Sequence, residues 1–255
     1  MTYTMKDITG VVLNWRTARM TRGAVMNLQK YYPDLKEILI GDDGSVSPKG
    51  DWDRAYGRDA YYREGKLDLD VTKLQGIPGT RYLPFALHQG HGLTLDRIVR
   101  YVETPLMLTM DSDMRLVGTG LLEEYLLKYN KDPENIYAVG TNFSDSFDYF
   151  KDEIKQTWHF TWVDPFFSLW NMEPLKRYER LSFTNMILPG LHFGTAAFLN
   201  YQLQHLDSCH ADRDPYYPVI YPQPEEIPQL WHLRRFPNDP PEHERSKKWE
   251  ELMDG

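Results

Sequence analysis

Two carboxylates separated by one residue follow an apolar run near the middle of the chain. The run is LMLTM at 106–110, and Asp111, Ser112 and Asp113 come directly after it. Mg²⁺ and Mn²⁺ prefer oxygen ligands, and a pair of carboxylates leaves coordination positions open for phosphate oxygens. Such a site can neutralise the charge that develops on a diphosphate leaving group. A solvated turn is the alternative interpretation of the same residues.

A second acidic pair follows another apolar run. Asp42 and Asp43 come after EILIG at 37–41, and Gly44 and Ser45 follow them. An Asp-Gly sequence is typical of a tight turn, which is the structural interpretation. In the functional interpretation, a carboxylate at this position accepts the imide N–H of uracil or of a similar base.

Single residues in the second half offer further chemistry. His232, in LWHL, can complete a metal site, although a histidine among apolar residues is usually packed and hydrogen-bonded. Asp164, in WVDPF, can deprotonate an acceptor hydroxyl or form an Asp-Pro turn. His192 and Asp207 are further candidates for that base. The aromatic residues of this region, which either fill the core or stack on sugars, are Trp158, Trp162, Phe166, Phe167 and Trp170.

Apolar periodicity places the acidic pairs in an alternating pattern of strands and helices. The predicted strands are 8–13, 37–41, 81–85, 106–110 and 136–139, and the predicted helices are 19–31, 93–102 and 119–129, the last with Thr119 as its N-cap. Alternation of this kind predicts βαβ units and a mostly parallel sheet. Ligands of such sheets bind at the carboxyl ends of the strands, where both acidic pairs fall.

The second half of the chain is less regular. We expect a mobile loop over 149–161, because it mixes aromatic and charged residues, and a helix from Ala196 within 192–206. Residues 215–241 hold eight of the 17 prolines, which predicts extended chain and turns wrapped on the body. The charged tail over 241–255 is expected to form a surface helix.

Composition narrows the class of protein. The 255 residues are 41% hydrophobic, which indicates a globular chain, and the formal net charge of -8 argues against nucleic acid as the main partner. Cys209 is the only cysteine, so no internal disulfide can form. The sequence has no apolar run long enough for a signal peptide or a transmembrane segment. We therefore expect a cytoplasmic enzyme or binding protein.

The order and spacing of three segments resemble a known family. VVLNWRTAR at 11–19, EILIGDDGS at 37–45 and HQGHGLTLDRIVRYVETPLMLTMDSD at 88–113 are similar to the amino-terminal half of family 2 glycosyltransferases. The resemblance covers about residues 8–120. It implies the GT-A fold, in which a Rossmann-like, mostly parallel α/β sheet is flanked by helices, here with an irregular proline-rich carboxyl-terminal portion in one domain over 1–255.

The resemblance also implies an activity and an organisation. The chain would move a hexose-type sugar from a nucleoside diphosphate sugar to an acceptor hydroxyl, with UDP preferred and GDP possible, assisted by Mn²⁺ or Mg²⁺. Residues 1–120 would bind the nucleotide sugar, 121–240 would form the acceptor side and 241–255 a surface tail. The acceptor is left open among a glycan, a lipid-linked sugar, a protein and a small molecule.

Roles carry over to matching positions. Leu13, Asn14 and Arg16 would line the base pocket, Asp42 would read the base edge and Asp43 would support its loop. His91 and Ser112 would contact the donor. Asp111 would contact ribose or metal, Asp113 would bind the metal, and His232 would be a further metal ligand.

Two departures from the family pattern keep alternatives open. Asn14-Trp15 stands where the family usually has Pro-Thr, and no Glu-Asp pair opens a helix in the second half, so the base is left to Asp164 or His192 and the stereochemical outcome stays open. A non-catalytic relative that binds nucleotide sugars or carbohydrate is one alternative. A sugar nucleotidyltransferase is another, because GTRYLP at 79–84 is similar to the G-T-R-L-x-P segment of those enzymes.

Overall fold

A computed structural model describes most of the chain. The described residues are 2–45, 69–151, 154–178, 181–184, 187–188, 191–192, 194–205, 216–221 and 227–232. For 142–151, 154–161, 187–188, 191–192, 205, 221 and 231–232 the description is of the backbone.

A seven-stranded sheet forms the centre of the protein. In spatial order its strands are β10 (Tyr217–Tyr221), β6 (Ile136–Lys151), β7 (Ile154–Asn171), β4 (Leu106–Met110), β1 (Ile8–Asn14), β2 (Glu37–Asp43) and β3 (Thr80–Phe85). Strand β7 runs antiparallel to its neighbours β4 and β6, and every other neighbouring pair is parallel. The prediction of a mostly parallel α/β sheet is therefore confirmed.

Helices cover both faces of this sheet. They are α1 (Ala18–Tyr31), α2 (His91–Ile98), α3 (Leu121–Tyr129), α4 (Met172–Arg177) and α5 (Ala197–His205). Because side chains alternate along a strand, Val12 packs with α1 and α3, and the neighbouring Val11 packs with α2 and α5. Burying an aliphatic side chain of this size stabilises a fold by about 1.5–3 kcal/mol, so the two clusters fix the helices against the sheet.

The third helix begins later than the sequence predicts. Gly120 precedes its first residue, with a φ of 100°, and its N–H donates to Glu123 Oε2 at 2.9 Å. Thr119 is therefore not the N-cap, and that expectation is wrong. Glycine adopts a positive φ without the steric cost that a Cβ imposes, which lets the chain turn sharply into the helix. The predicted helix over 93–102 begins at His91 and continues beyond Ile98 as the 3₁₀ turn Val99–Tyr101.

The expected loop over 149–161 is also wrong, because most of it forms strands. In this region the ladder between β6 and β7 continues without interruption from Phe143 opposite Trp162 to Lys151 opposite Ile154. Aromatic residues and threonine favour strands, and here they outweigh the charged residues that suggested a loop.

A wide bulge interrupts the same ladder close to the sheet. Gly140 pairs with Ser168 and Asn142 pairs with Val163, so Thr141 alone stands opposite residues 164–167. Pro165 lies in this bulge, where a residue without an N–H does not break a ladder. The bulge therefore displaces Asp164 from regular pairing with β6.

Two short pairs complete the described structure. Strand β5 (Met114–Leu116) pairs antiparallel with β11 (Leu230–His232), and β8 (Ile187–Leu188) pairs antiparallel with β9 (Leu191–His192). The tail over 241–255 and Asp207 lie outside the described residues. Across the described ranges, no helix has the length and apolar character needed to span a membrane.

Candidate functional site

The candidate site lies where the parallel strands β1, β2 and β4 end. Their register aligns Asn14 with Asp42, and Val12 with Met110, so both acidic pairs reach the same edge of the sheet. The first residue of α2, His91, lies at this edge as well. This is the edge at which α/β sheets bind their ligands.

Asp42 is enclosed by hydrogen-bond donors of the protein. Its Oδ1 accepts from Asn14 Nδ2 at 2.8 Å and from the hydroxyl of Ser45, and its Oδ2 accepts from the hydroxyl of Tyr82 at 2.7 Å. The residue is 1% exposed. Burial and the neighbouring carboxylate raise the pKa of the Tyr82 hydroxyl, which therefore stays a donor. Asp42 ties β1, β2 and β3 together at their carboxyl ends.

Asn14 continues this network into α1. Its Oδ1 accepts from Thr21 Oγ1 at 2.8 Å, while its Nδ2 donates to Ser45 Oγ at 2.9 Å as well as to Asp42. Ser45 Oγ also accepts from the N–H of Arg16 at 2.8 Å. Arg16 has a φ of 57°, which is uncommon for a residue with a side chain. The network therefore fixes the loop that carries the predicted base-pocket residues, while Leu13 beside it is partly buried.

Asp43 holds the loop that leads into α2. Its Oδ1 accepts from the N–H of Gln89 at 2.9 Å and its Oδ2 accepts from the N–H of Gly90 at 3.0 Å. His88 Nδ1 lies 2.6 Å from the same Oδ2, at ion-pair distance. Burial opposes the ionised form of Asp43, but these donors outweigh burial and hold its pKa below the usual value. A Cβ on Gly44 would lie 2.3 Å from the nitrogen of His88, so the two loops touch backbone to backbone.

His88 and Trp15 form a stacked pair beside this loop. Their ring centroids are 4.4 Å apart with an interplanar angle of 16°. Trp15 Nε1 is buried and has no hydrogen-bond partner within the described ranges. Sequence reasoning did not assign a role to either side chain, although Trp15 stands at one of the departures from the family pattern.

Asp111 is the more open carboxylate of this edge. Its side chain is 19% exposed and its Oδ1 lies 3.1 Å from His91 Nε2, on a side chain that is 31% exposed. The N–H of Asp111 donates to the carbonyl oxygen of Phe166 at 2.9 Å, which joins the end of β4 to the bulge of β7.

His91 is surrounded by carboxylates from three segments. Burial disfavours its charged form, but the charge of Asp111 and the hydrogen bond to it, with the charges of Asp164 and Asp43, raise the pKa of His91 above the usual value. The structure thus brings together His91, Asp111 and Asp164, which the sequence places far apart.

Asp164 is held in the bulge by its own backbone and by α5. Its Oδ1 accepts from the N–H of Phe166 at 3.2 Å, and its carbonyl oxygen accepts from the hydroxyl of Ser168 at 2.5 Å. Asn200 pairs with the preceding residue: its Oδ1 accepts from the N–H of Val163 at 3.0 Å and its Nδ2 donates to the Val163 carbonyl oxygen at 3.1 Å. The Asn200 side chain thus makes the pair of backbone hydrogen bonds that a neighbouring strand would make. No local feature of the sequence indicates this role.

Asp113 lies on the inner side of its turn, where it is buried. Arg115, also buried, donates to the carbonyl oxygens of Ser112 at 2.8 Å, Met114 at 2.7 Å and Met20 at 3.0 Å. Burial lowers the pKa of Arg115 to about 10, and the charge of Asp113 opposes that shift. The guanidinium therefore ties the Asp111-Ser112-Asp113 turn to α1.

The structure gives the backbone positions of His232 and His192, the two histidines of the second half that the sequence suggests for the site. His232 is the register partner of Met114, so the pairing of β11 with β5 brings it beside the residue that follows Asp113. His192 lies in β9 opposite Ile187. The side chains of both histidines lie outside the described residues. Within the described ranges, no three His, Cys, Asp or Glu side chains form a group that could hold a metal ion.

The GTRYLP segment at 79–84, which is similar to a segment of nucleotidyltransferases, forms part of a strand in this structure. Thr80–Phe85 forms the edge strand β3, and Arg81 pairs with Glu37 at 3.0 Å and donates to the carbonyl oxygen of Tyr101 at 2.7 Å. It does not form a phosphate-binding loop after the first strand. Among the aromatic residues, Phe167 and Trp170 lie in the core.

Comparison with known proteins finds similarity only among solved structures. No protein-family model matches the chain, and no curated protein matches it. One similar structure is the mannosyltransferase PcManGT from Pyrobaculum calidifontis, determined in complex with GDP-Man and Mn²⁺. The two chains are 15% identical with a TM-score of 0.41, and the similarity covers 67% of this chain and 46% of that one.

Proposed function

We propose that this protein is a glycosyltransferase that moves a sugar from a nucleoside diphosphate sugar to an acceptor hydroxyl. One observation carries the proposal: His91, Asp111 and Asp164 come from a helix start, a strand end and a bulge, and they meet at the ligand-binding edge of the sheet. The order of the sequence motifs points to the same activity.

The donor diphosphate would lie against Asp111 and His91. His91 stands at the start of α2 and its pKa is raised, so in its protonated form it would attract phosphate together with the helix amino terminus. The accessible carboxylate of Asp111 fits a divalent cation, with Asp113 and His232 as the further proposed ligands and UDP or GDP oxygens filling the remaining positions. Bound Mn²⁺ or Mg²⁺ would supply Lewis-acid stabilisation of the leaving diphosphate.

The nucleotide base would lie over the loop after β1. Leu13 and the stacked Trp15 offer apolar surface there, with the Arg16 guanidinium over the Trp15 ring, and the buried Trp15 Nε1 would reach a base or ribose oxygen only when ligand binding opens this loop. Asn14 and Asp42 would shape this pocket from beneath, because their polar atoms already bind one another. Asp42 reaches the base edge only if a donor of the ligand replaces Tyr82 or Ser45.

Asp164 is our proposed general base. A carboxylate that deprotonates the acceptor hydroxyl must be fixed close to the donor. Asn200 and the bulge fix the backbone before Asp164, which is 4% exposed and near enough for its charge to act on His91. His192 is the second candidate for this role. The acceptor would approach from the side of β7.

The proposal is tested with a panel of nucleoside diphosphate sugars in the presence of Mn²⁺ or Mg²⁺. We expect one donor to raise the melting temperature, since a ligand at 100 times its Kd adds about 2.7 kcal/mol of stability, and to be hydrolysed slowly without acceptor. Mn²⁺ should support more activity than Mg²⁺ if His232 ligates, because imidazole suits Mn²⁺ better. Stabilisation without turnover would favour the non-catalytic binding relative, and no response to any donor would end the proposal.

A further inference from the structure

The ladder between β6 and β7 extends well beyond the central sheet. Strand β10 pairs with β6 as far as Thr141, and β4 pairs with β7 only over Phe167–Asn171. In the described part of the chain, residues 142–151 and 154–163 therefore pair only with each other. We call this two-stranded segment the ribbon. A hairpin without a third strand is marginally stable in water unless one face is covered.

The register sorts the aromatic residues of the ribbon onto one face. Directly opposed residues of antiparallel strands share a face, and alternate residues along each strand do so as well. Six aromatic residues fall together by this rule: Phe143, Phe147, Tyr149, Trp158, Phe160 and Trp162. Over 144–150 and 155–161, the other face carries one aromatic residue, Phe150, among serine, threonine, histidine, aspartate and lysine.

We propose that this aromatic face is the binding surface for a carbohydrate acceptor of several sugar units; this inference rests on the proposed glycosyltransferase function. The rings of a sugar present flat C–H surfaces that aromatic residues can cover, while the hydroxyls remain hydrated. From Phe143 to Tyr149 the face is about 20 Å long, at about 3.3 Å per residue, which is longer than one sugar ring.

The position of the face favours an acceptor. Trp162 at its inner end is 1% exposed and packs within the protein, so the part proposed to bind a ligand lies outward of it. Val163 and then Asp164 follow Trp162 directly along the chain. A glycan that lies along the ribbon would thus present its end to our proposed base. Asn200 pairs with Val163 at this junction and fixes the direction in which the ribbon leaves the sheet.

Charge favours a hydroxyl-bearing ligand over an apolar or anionic surface. Asp145 falls on the aromatic face, opposite Phe160, between Phe143 and Phe147. A carboxylate buried against a second copy or a lipid surface would have to be desolvated without a partner, whereas sugar hydroxyls can donate to it. By the register, the aromatic face of the ribbon carries one basic residue, Lys151 at its outer end, and Asp145 offsets that charge, so the face has no net positive charge for an anionic membrane.

The test is binding of neutral oligosaccharides of increasing length, using manno-, gluco- and chito-oligosaccharides as probes and tryptophan fluorescence or calorimetry as the readout. We expect affinity for one series to rise with length. Phe147→Ala and Tyr149→Ala should each weaken binding about tenfold, and Phe150→Ala, an aromatic truncation on the opposite face, should leave it unchanged. Donor-induced stabilisation should persist in all three variants, which also shows that they fold.

Each other outcome overturns a defined claim. If donors stabilise the protein but no oligosaccharide binds, or if Phe150→Ala weakens binding as much as Phe147→Ala, the carbohydrate face is wrong and the proposed function stands. If Phe147→Ala converts a dimer into a monomer in light scattering, the face joins two copies and the carbohydrate proposal fails. If no donor binds while an oligosaccharide does, the proposed transferase activity fails and the face is retained as a binding surface.

Discussion

The acidic pairs at the ends of β2 and β4 look alike in sequence and differ in their surroundings. Asp42 and Asp43 are buried, and their four carboxylate oxygens accept from donors of the protein itself. Asp111 is partly exposed and faces His91. Its pair member Asp113 is buried, so the difference between the two pairs lies in Asp111, the one carboxylate of the four that is open to what arrives at this edge. The sequence motif alone does not distinguish the enclosed carboxylates from the open one.

We expect the largest effect on transfer activity from a substitution in the acidic pair that follows β4. Asp111→Asn keeps the shape of the side chain but removes its charge, so transfer should fall about a hundredfold or more, with the melting temperature nearly unchanged. The measurement is the initial rate of transfer with saturating donor. Excess EDTA, added to the parent protein, should cause a comparable loss. Asp34→Asn, the same substitution at an exposed position away from this edge, serves as the control. Full activity of Asp111→Asn would place both acidic pairs in a structural role.

Asp42 should show the reverse pattern. Asp42→Asn places an amide N–H₂ against the donors of Asn14 or Tyr82, and a buried unpaired donor costs about 1–3 kcal/mol of unfolding free energy. Urea unfolding measures the loss. Asp34→Asn, at an exposed position, should change stability little. If Asp42→Asn keeps the stability of the parent protein but binds the nucleotide sugar more weakly, Asp42 contacts the base, as the family resemblance implies.

Asp43 should make the protein sensitive to acid. Because its pKa is lowered in the folded state, its contribution to stability is present above the unfolded pKa of about 4 and is lost as pH falls through the folded value. The stability difference between the parent protein and Asp43→Asn should therefore be constant near neutral pH and shrink below about pH 4. Urea unfolding at a series of pH values measures it, and a difference independent of pH would contradict the assignment.

Trp15 should give the smallest change in stability and a visible change in binding. Trp15→Phe keeps an aromatic ring against His88 and removes an N–H that has no partner in the described part of the chain, so stability should stay within about 0.5 kcal/mol. If that N–H serves the nucleotide, donor affinity should fall about fivefold. Calorimetric titration with the nucleoside diphosphate measures the fall, and Trp15→Phe with parental affinity would remove the N–H from the binding site.

The sequence predicts the first half of the fold well because its signals there are local. A few neighbouring residues are enough to indicate an apolar strand such as EILIG or a helix with one apolar face, such as the one over 19–31. The end of each strand then places the acidic residues at one edge. Boundaries such as Gly120 fail because they depend on a backbone conformation that composition does not specify.

The partners of the site residues are not local and were therefore missed. Tyr82 reaches Asp42 from a strand 40 residues away, and Asn200 reaches Val163 across 37 residues. The ribbon is a different failure, because its alternation of aromatic and polar residues is a strand signal that the charged residues concealed. The side chains of His192 and His232 remain predictions.

The contact between Gly44 and His88 has a consequence for folding. These residues are 44 positions apart, and the turn after β2 lies directly against the second loop, whose Gln89 N–H donates to Asp43, so we expect the two to order together. Closing so long a loop is an entropic step that precedes any gain from the contact. An amino-terminal fragment that ends before residue 80 would carry the complete DDGS sequence without its shape. During synthesis, this turn would accordingly take its shape in one step, after the chain beyond β3 has emerged and docked.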